Sequence, residues 1–256
     1  MIPAALSRRH GRSWPLLACC LVPALAHAFE VPEVTCPATA GHAATLEALV
    51  PAGWRLEHAA RGPLDADAHE DALLVLRMDD PANIVDNAGF GPDRFDTNPR
   101  MLVAALGQPG GGWRVAMRNH QLVPRPESPV MDDFLDGDPG AALSIRPNRT
   151  WQLALHSWAS AGTWSTRRVR YTFRLDPDCM RLVGYDEMHL HRGSGQTTTT
   201  SVNYLSGRAW TRSGSIEHDS DGPRRWLRLA SPGPVCIDGI GDGLAFVPDL
   251  PELPAD

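Results

Sequence analysis

The chain contains no lysine, and all 24 of its basic residues are arginine. With abundant Ala, Gly and Pro, this reads as a compositional bias of the source rather than a functional choice. Positive charge is not in excess either: 30 acidic residues outnumber those arginines, which argues against nucleic-acid binding. No apolar run is long enough to anchor the chain across a bilayer. Neither G-x-S-x-G nor H-E-x-x-H occurs, which removes the commonest hydrolase signatures. Cys36, Cys179 and Cys236 are far apart in sequence, so they lack the close spacing of a metal-binding cysteine motif.

What is present begins with a leader. Arg8, Arg9 and Arg12 precede a short apolar run, 14–26, and then Ala26-His27-Ala28. A positive region, an apolar region and a small-x-small site are the parts of a secretory signal peptide, so residues 1–28 are expected to be removed and the mature chain to start at Phe29. Leu16-Leu17-Ala18-Cys19 has a lipobox-like order, but few apolar residues precede Cys19. Cleavage takes three of the 24 arginines and none of the 30 acids, leaving 21 against 30, a net charge of −9. The expected location is the periplasm or beyond. In that oxidising setting three cysteines predict one bridge and one leftover thiol. Cys179 with Cys236 is the preferred pair, stapling the tail to the sheet, and Cys36 with Cys236 is the alternative.

Alternation of side chains predicts a mainly β protein with little helix, an antiparallel meander that is sandwich-like or a partial propeller. The clearest stretch is 149–205. Val169, Tyr171, Phe173 and Leu175 alternate with Arg168, Arg170, Thr172 and Arg174, the period of a strand with one face on a core. Residues 72–76 are apolar on both faces, as in a central strand covered on each side. A hairpin with a mobile tip is expected over 101–119, and short strands over 54–60, 208–212 and 226–229. Residues 29–52 read as a linker with a short helix near Leu46, Leu49 and Val50, 53–230 as one β-rich domain, and 231–256 as a Pro/Asp-rich tail. Two long connections, 79–98 and 120–140, are expected to be functional or disordered.

The acidic segment 62–76 resembles the calcium loop of FG-GAP or VCBS-type repeats, in which alternate acidic side chains wrap a cation just before an apolar strand. Asp65, Asp67 and Asp71 match ligand positions, with the His69 carbonyl as a further oxygen, while Pro63 and Ala68 depart from the pattern. The resemblance therefore implies calcium binding in weakened form, and no other cofactor is expected. Together with Tyr171-Thr172-Phe173-Arg174, Arg181-Leu182-Val183-Gly184-Tyr185-Asp186 and Ser201-Val202-Asn203-Tyr204-Leu205-Ser206-Gly207, this loop is similar to a group of secreted bacterial proteins of unassigned function. That similarity implies an extracytoplasmic β protein and supplies no active site.

Three other constellations could carry chemistry. Glu187, His189 and His191 stand at i, i+2 and i+4 of one strand and so share a face. They could ligate zinc, or form an exposed polar face opposite Met180, Leu182, Met188 and Leu190. Trp158 shares a face with Gln152 and His156, and Trp158 with His156 could stack and orient a sugar. Gly239-Ile240-Gly241-Asp242-Gly243 has the glycines of a phosphate loop but neither the preceding strand nor the following helix. The expected function is non-enzymatic: an envelope or extracellular binding module whose Asp-rich loops meet a protein or glycan. A metal-dependent hydrolase using Glu187, His189 and His191, and a calcium-stabilised structural protein, are the alternatives.

Overall fold

A computed structural model describes residues 30–38, 40–135, 139–218, 221–229 and 233–251; the expected signal peptide lies outside them. The strands are β1 (His42–Ala43), β2 (Trp54–Gly62), β3 (Asp71–Met78), β4 (Ile84–Asp86), β5 (Arg94–Asp96), β6 (Arg100–Gly107), β7 (Trp113–Asn119), β8 (Leu143–Ile145), β9 (Thr150–Ser157), β10 (Ser165–Leu175), β11 (Met180–His191), β12 (Gln196–Asn203), β13 (Arg208–Ser215) and β14 (Arg225–Arg228). Every named pairing is antiparallel. A five-stranded sheet runs β1-β7-β6-β3-β2, a seven-stranded sheet runs β14 through β8 in reverse chain order, and β4 and β5 form a small hairpin. The only α-helix among the described residues, α1 (Pro139–Ala142), is a single turn.

The two large sheets face each other across one core. Leu73, Val75, Leu102 and Ala104 on the first meet Trp151, Leu153, Val169, Tyr171, Phe173 and Leu182 on the second. The strict alternation of β10 places Val169, Tyr171 and Phe173 inside, with Phe173 stacked on Trp151. The fold is therefore a sandwich. The far side of the five-stranded sheet is also covered: Leu74, Leu76, Met101, Val103 and Ala105 pack under Leu46, Leu49 and Trp54. This is why β3 reads apolar on both faces. The expected short helix is one 3-10 turn, Glu47–Leu49, held by its buried leucines rather than by a side-chain cap. Cys36 stays unpaired beside this second core, and burial pushes its thiol above the ordinary range.

Three bulges break the simple alternation. In β2 the extra residue is Glu57, between Leu56 and His58. In β7 it is Ala116, so Met117 reaches the main core while Trp113 and Val115 pack on the other side. In β11 it is Val183, since Thr172 pairs with Gly184 but Phe173 with Leu182. A bulge puts two residues opposite one and reverses the parity of everything beyond it.

The connections over 79–98 and 120–135 are tied together by arginines rather than left free. Arg100, 2 % exposed, donates from Nε and Nη2 to Glu57 at 2.5 and 2.9 Å and from Nη2 to Asp133 at 2.7 Å. Arg77 reaches Asp96 at 2.8 Å, and Arg125 donates to the carbonyls of Thr97 and Pro32. Burial alone would raise the Glu57 and Asp133 carboxyls, but Arg100, with help from Arg77, holds both below the usual carboxylate range.

The Pro/Asp-rich tail is stapled to the sheet, as the preferred cysteine pairing predicts. Cys179 and Cys236 form a disulfide. From there Ile237, Ile240, Leu244 and Phe246 pack on the main core, and Tyr171 Oη donates to the Gly243 carbonyl at 2.6 Å. Gly243 is required: a Cβ there would lie 2.5 Å from the Leu122 carbonyl.

Candidate functional site

The acidic loop does gather its carboxylates, with oxygens of Asp65, Asp67 and Asp71 within 4.8 Å of one another, the only such group among the described residues. Backbone amides already use them. Asp71, fully buried, accepts from Leu64 N at 2.6 Å, Asp65 N at 3.2 Å and Gly107 N at 3.0 Å. Asp65 and Asp67 each accept from the amide two residues on. Burial, then the charges of Asp71 and Asp67, push the Asp65 carboxyl up. A hard cation wants six or more oxygens, and three carboxylates so engaged fall short of that set. The loop is held as a turn by its own hydrogen bonds.

Glu187, His189 and His191 are not brought together as ligands. The bulge at Val183 turns Glu187 inward beside Tyr185, where its carboxylate accepts from Arg167 Nε and from Tyr185 Oη at 2.8 Å. His191 Nδ1 lies 2.9 Å from Ser194 Oγ. Glu187, His189 and His191 therefore do not form the polar outer surface read from alternation; the bulge hands that surface to Asp186, Met188 and Leu190. Trp158 is half-buried with the Arg192 guanidinium 4.7 Å from its ring, whereas Trp164 and Trp226 are the exposed tryptophans among the described residues, at 65 % and 55 %. His156 is half-buried on the outer face of β9.

That outer face of the seven-stranded sheet is the one large sheet face left uncovered among the described residues, and apart from the bulged Val183 its side chains are at least partly exposed. The register draws straight rows across it. One runs Ala154, Arg170, Asp186, Ser201, Trp210 and Trp226 from β9 to β14. Five interstrand steps give it a length of about 24 Å. The row beside it holds His156, Arg168, Met188, Thr199 and Arg212. A depression of about 580 Å³ over Ala154 lies among His156, Arg168, Arg170, Asp186 and Met188. A second, along Gln152, Thr172, Gly184 and Asn203, shares Asp186 with it. Small residues at Ala154 and Gly184 leave this space, since long side chains there would fill the face.

Charge on this face is mostly positive. Arg168 and Arg170 are exposed, about 7 Å apart along β10, and pair with no carboxylate among the described residues. At the far edge, Arg208 lies 4.7 Å from the Trp226 ring and Arg224 4.4 Å from Trp210. Arg212 is neutralised by Asp221 at 2.6 Å, while Asp186 is occupied by Ser201 Oγ at 2.7 Å. Guanidinium groups and indole rings thus flank a floor of hydroxyls and amides, able to bind and orient a polar ligand. Sequence reading missed the face because its members come from six strands. The visible signal was the arginine row of β10, read as merely solvated.

Neither a protein-family model, nor a curated protein, nor a solved structure matches the chain. No helix among the described residues is long and apolar enough to cross a membrane.

Proposed function

We propose that this chain is an exported binding module of the envelope or extracellular space, with the outer face of the seven-stranded sheet as its recognition surface. One observation carries the reading. Both faces of the five-stranded sheet and the inner face of its partner are packed, while this face alone stays open and holds unpaired arginines. Exposed cationic surface contributes nothing to the core, and its field is complementary to an anionic partner outside the chain. The disulfide is compatible with an oxidising compartment. The arginine-tied connections leave the Asp-rich loops less suited to wrap a partner than the sequence alone suggests.

The test is a retention assay with the full chain against envelope extract and a panel of polysaccharides, repeated with Arg170→Glu on the face and Phe90→Ala on the 86–94 loop. The reading expects at least one retained ligand, lost with Arg170→Glu and kept with Phe90→Ala. Loss confined to Phe90→Ala, or no ligand at all, would overturn it.

A further inference from the structure

We propose that the occupant of this face is an acidic polysaccharide, an extended chain of sugar rings carrying carboxylates. The inference rests on the reading of the face as the recognition surface and adds the chemistry of what it holds.

Three features select that ligand. First, the positive charge is divided rather than concentrated. Arg170 and the Trp210 edge are separated by three interstrand steps, about 14 Å, so the face suits charges spaced along a polymer and not one small anion. Guanidinium is the group that meets a carboxylate with two parallel hydrogen bonds. Second, the ground beside and between the arginines holds Thr199, Ser201, Asn203, Gln152 and Thr172; Gln152 already donates to Thr172 and Ser201 to Asp186, and the lone pairs and amide hydrogens that remain can meet sugar hydroxyls. Third, Trp226 sits at the end of the row, 55 % exposed and backed by Arg208. An indole held in place by a cation offers its free surface for ring stacking.

A nucleic acid fits less well. It would present bases for stacking along its length, whereas this face has, among the described residues, only Trp210 and Trp226 as indoles and a floor of hydroxyls and amides that matches sugar hydroxyls.

The experiment measures binding of the full chain to polygalacturonate, to the same polymer fully methyl-esterified, to neutral dextran and to a single-stranded oligothymidine, at two salt concentrations. It is repeated with Arg168→Ala/Arg170→Ala, with Trp226→Ala and with Arg55→Ala, the last on an edge strand of the other sheet. All three sites are exposed, and unchanged melting curves verify folding. The expected result is binding of polygalacturonate that weakens at high salt. The double arginine variant should weaken it at least tenfold, Trp226→Ala severalfold and Arg55→Ala not at all, with little binding of the ester or dextran.

Equal affinity for the ester and the acid, with Trp226→Ala harmful and the arginine variant silent, would overturn the acidic ligand and leave the face as the recognition surface. Tighter binding of the oligonucleotide would overturn the polysaccharide class. Binding that no face variant alters, or no binding by any probe or extract, would overturn both the inference and the reading beneath it.

Discussion

Burying a carboxylate is unfavourable unless its oxygens find donors, and Asp71 meets that condition with three backbone N–H groups from two segments. It thereby ties the acidic turn to the end of β6. Asp71→Ala should leave those amides without an acceptor and destabilise the fold by about 3 kcal/mol, read as a lower midpoint in urea. A shift within experimental error would show that water replaces the carboxylate. The sequence made Asp71 legible as an acid with a job at the start of a strand. The job itself was hidden, because one of its partners, Gly107, lies 36 residues away.

The Glu57–Arg100–Asp133 group gives the residue scale a pH dependence. Both carboxyls are held below their ordinary values in the folded chain. Their contribution is therefore fully present above the unfolded carboxylate range, near pH 4, and is lost as pH falls through the depressed folded values. Melting temperature should decline below about pH 4, and Glu57→Gln should start lower and decline less steeply. A parallel decline in both proteins would remove Glu57 from the account. Nothing in the sequence marked Glu57, since only the bulge between Leu56 and His58 aims it at Arg100.

At the scale of the element, period-two patterning carried β9 and β10 from sequence to structure with their faces right, because one side of each had to be apolar, while β3 was legible as an inner strand from its unbroken apolar run. Alternation failed wherever a bulge intervened. The run from Met180 to His191 contains no Pro and has one Gly, so Val183 as the extra residue could not be seen locally, and Glu187 changed sides with it. The tail was legible as Pro-rich and stapled through Cys179, but not as packed, because its other fixed points, Tyr171 and Leu122, lie far upstream. The disulfide closes a sequence separation of 57 residues, for which loop-closure entropy gives about 4 kcal/mol. Replacing both cysteines with alanine should lower stability by about that much, measured by denaturant titration under oxidising conditions, and no change would make the tail dispensable. For the acidic turn, melting curves in calcium and in chelator should coincide. A rise of several degrees with calcium would show that the carboxylates of Asp65 and Asp67 take a cation despite their backbone partners.

For the whole molecule, an acidic protein that turns unpaired arginines to one open sheet face is an electrostatically divided object. Its core was readable from alternation, which left a sandwich and a partial propeller both open until the two sheets were seen to face each other. The face was not readable, because a row such as Arg170, Asp186, Ser201 and Trp210 exists only once four strands are in register. The most direct measurement is arginine-selective modification by a dicarbonyl reagent, read by mass spectrometry on the full chain with and without bound polygalacturonate. The predicted result is protection of Arg168, Arg170 and Arg228, which stands exposed on β14 opposite Arg208, with Arg55 still reactive. Uniform reactivity, or protection that avoids β10 and β14, would contradict it.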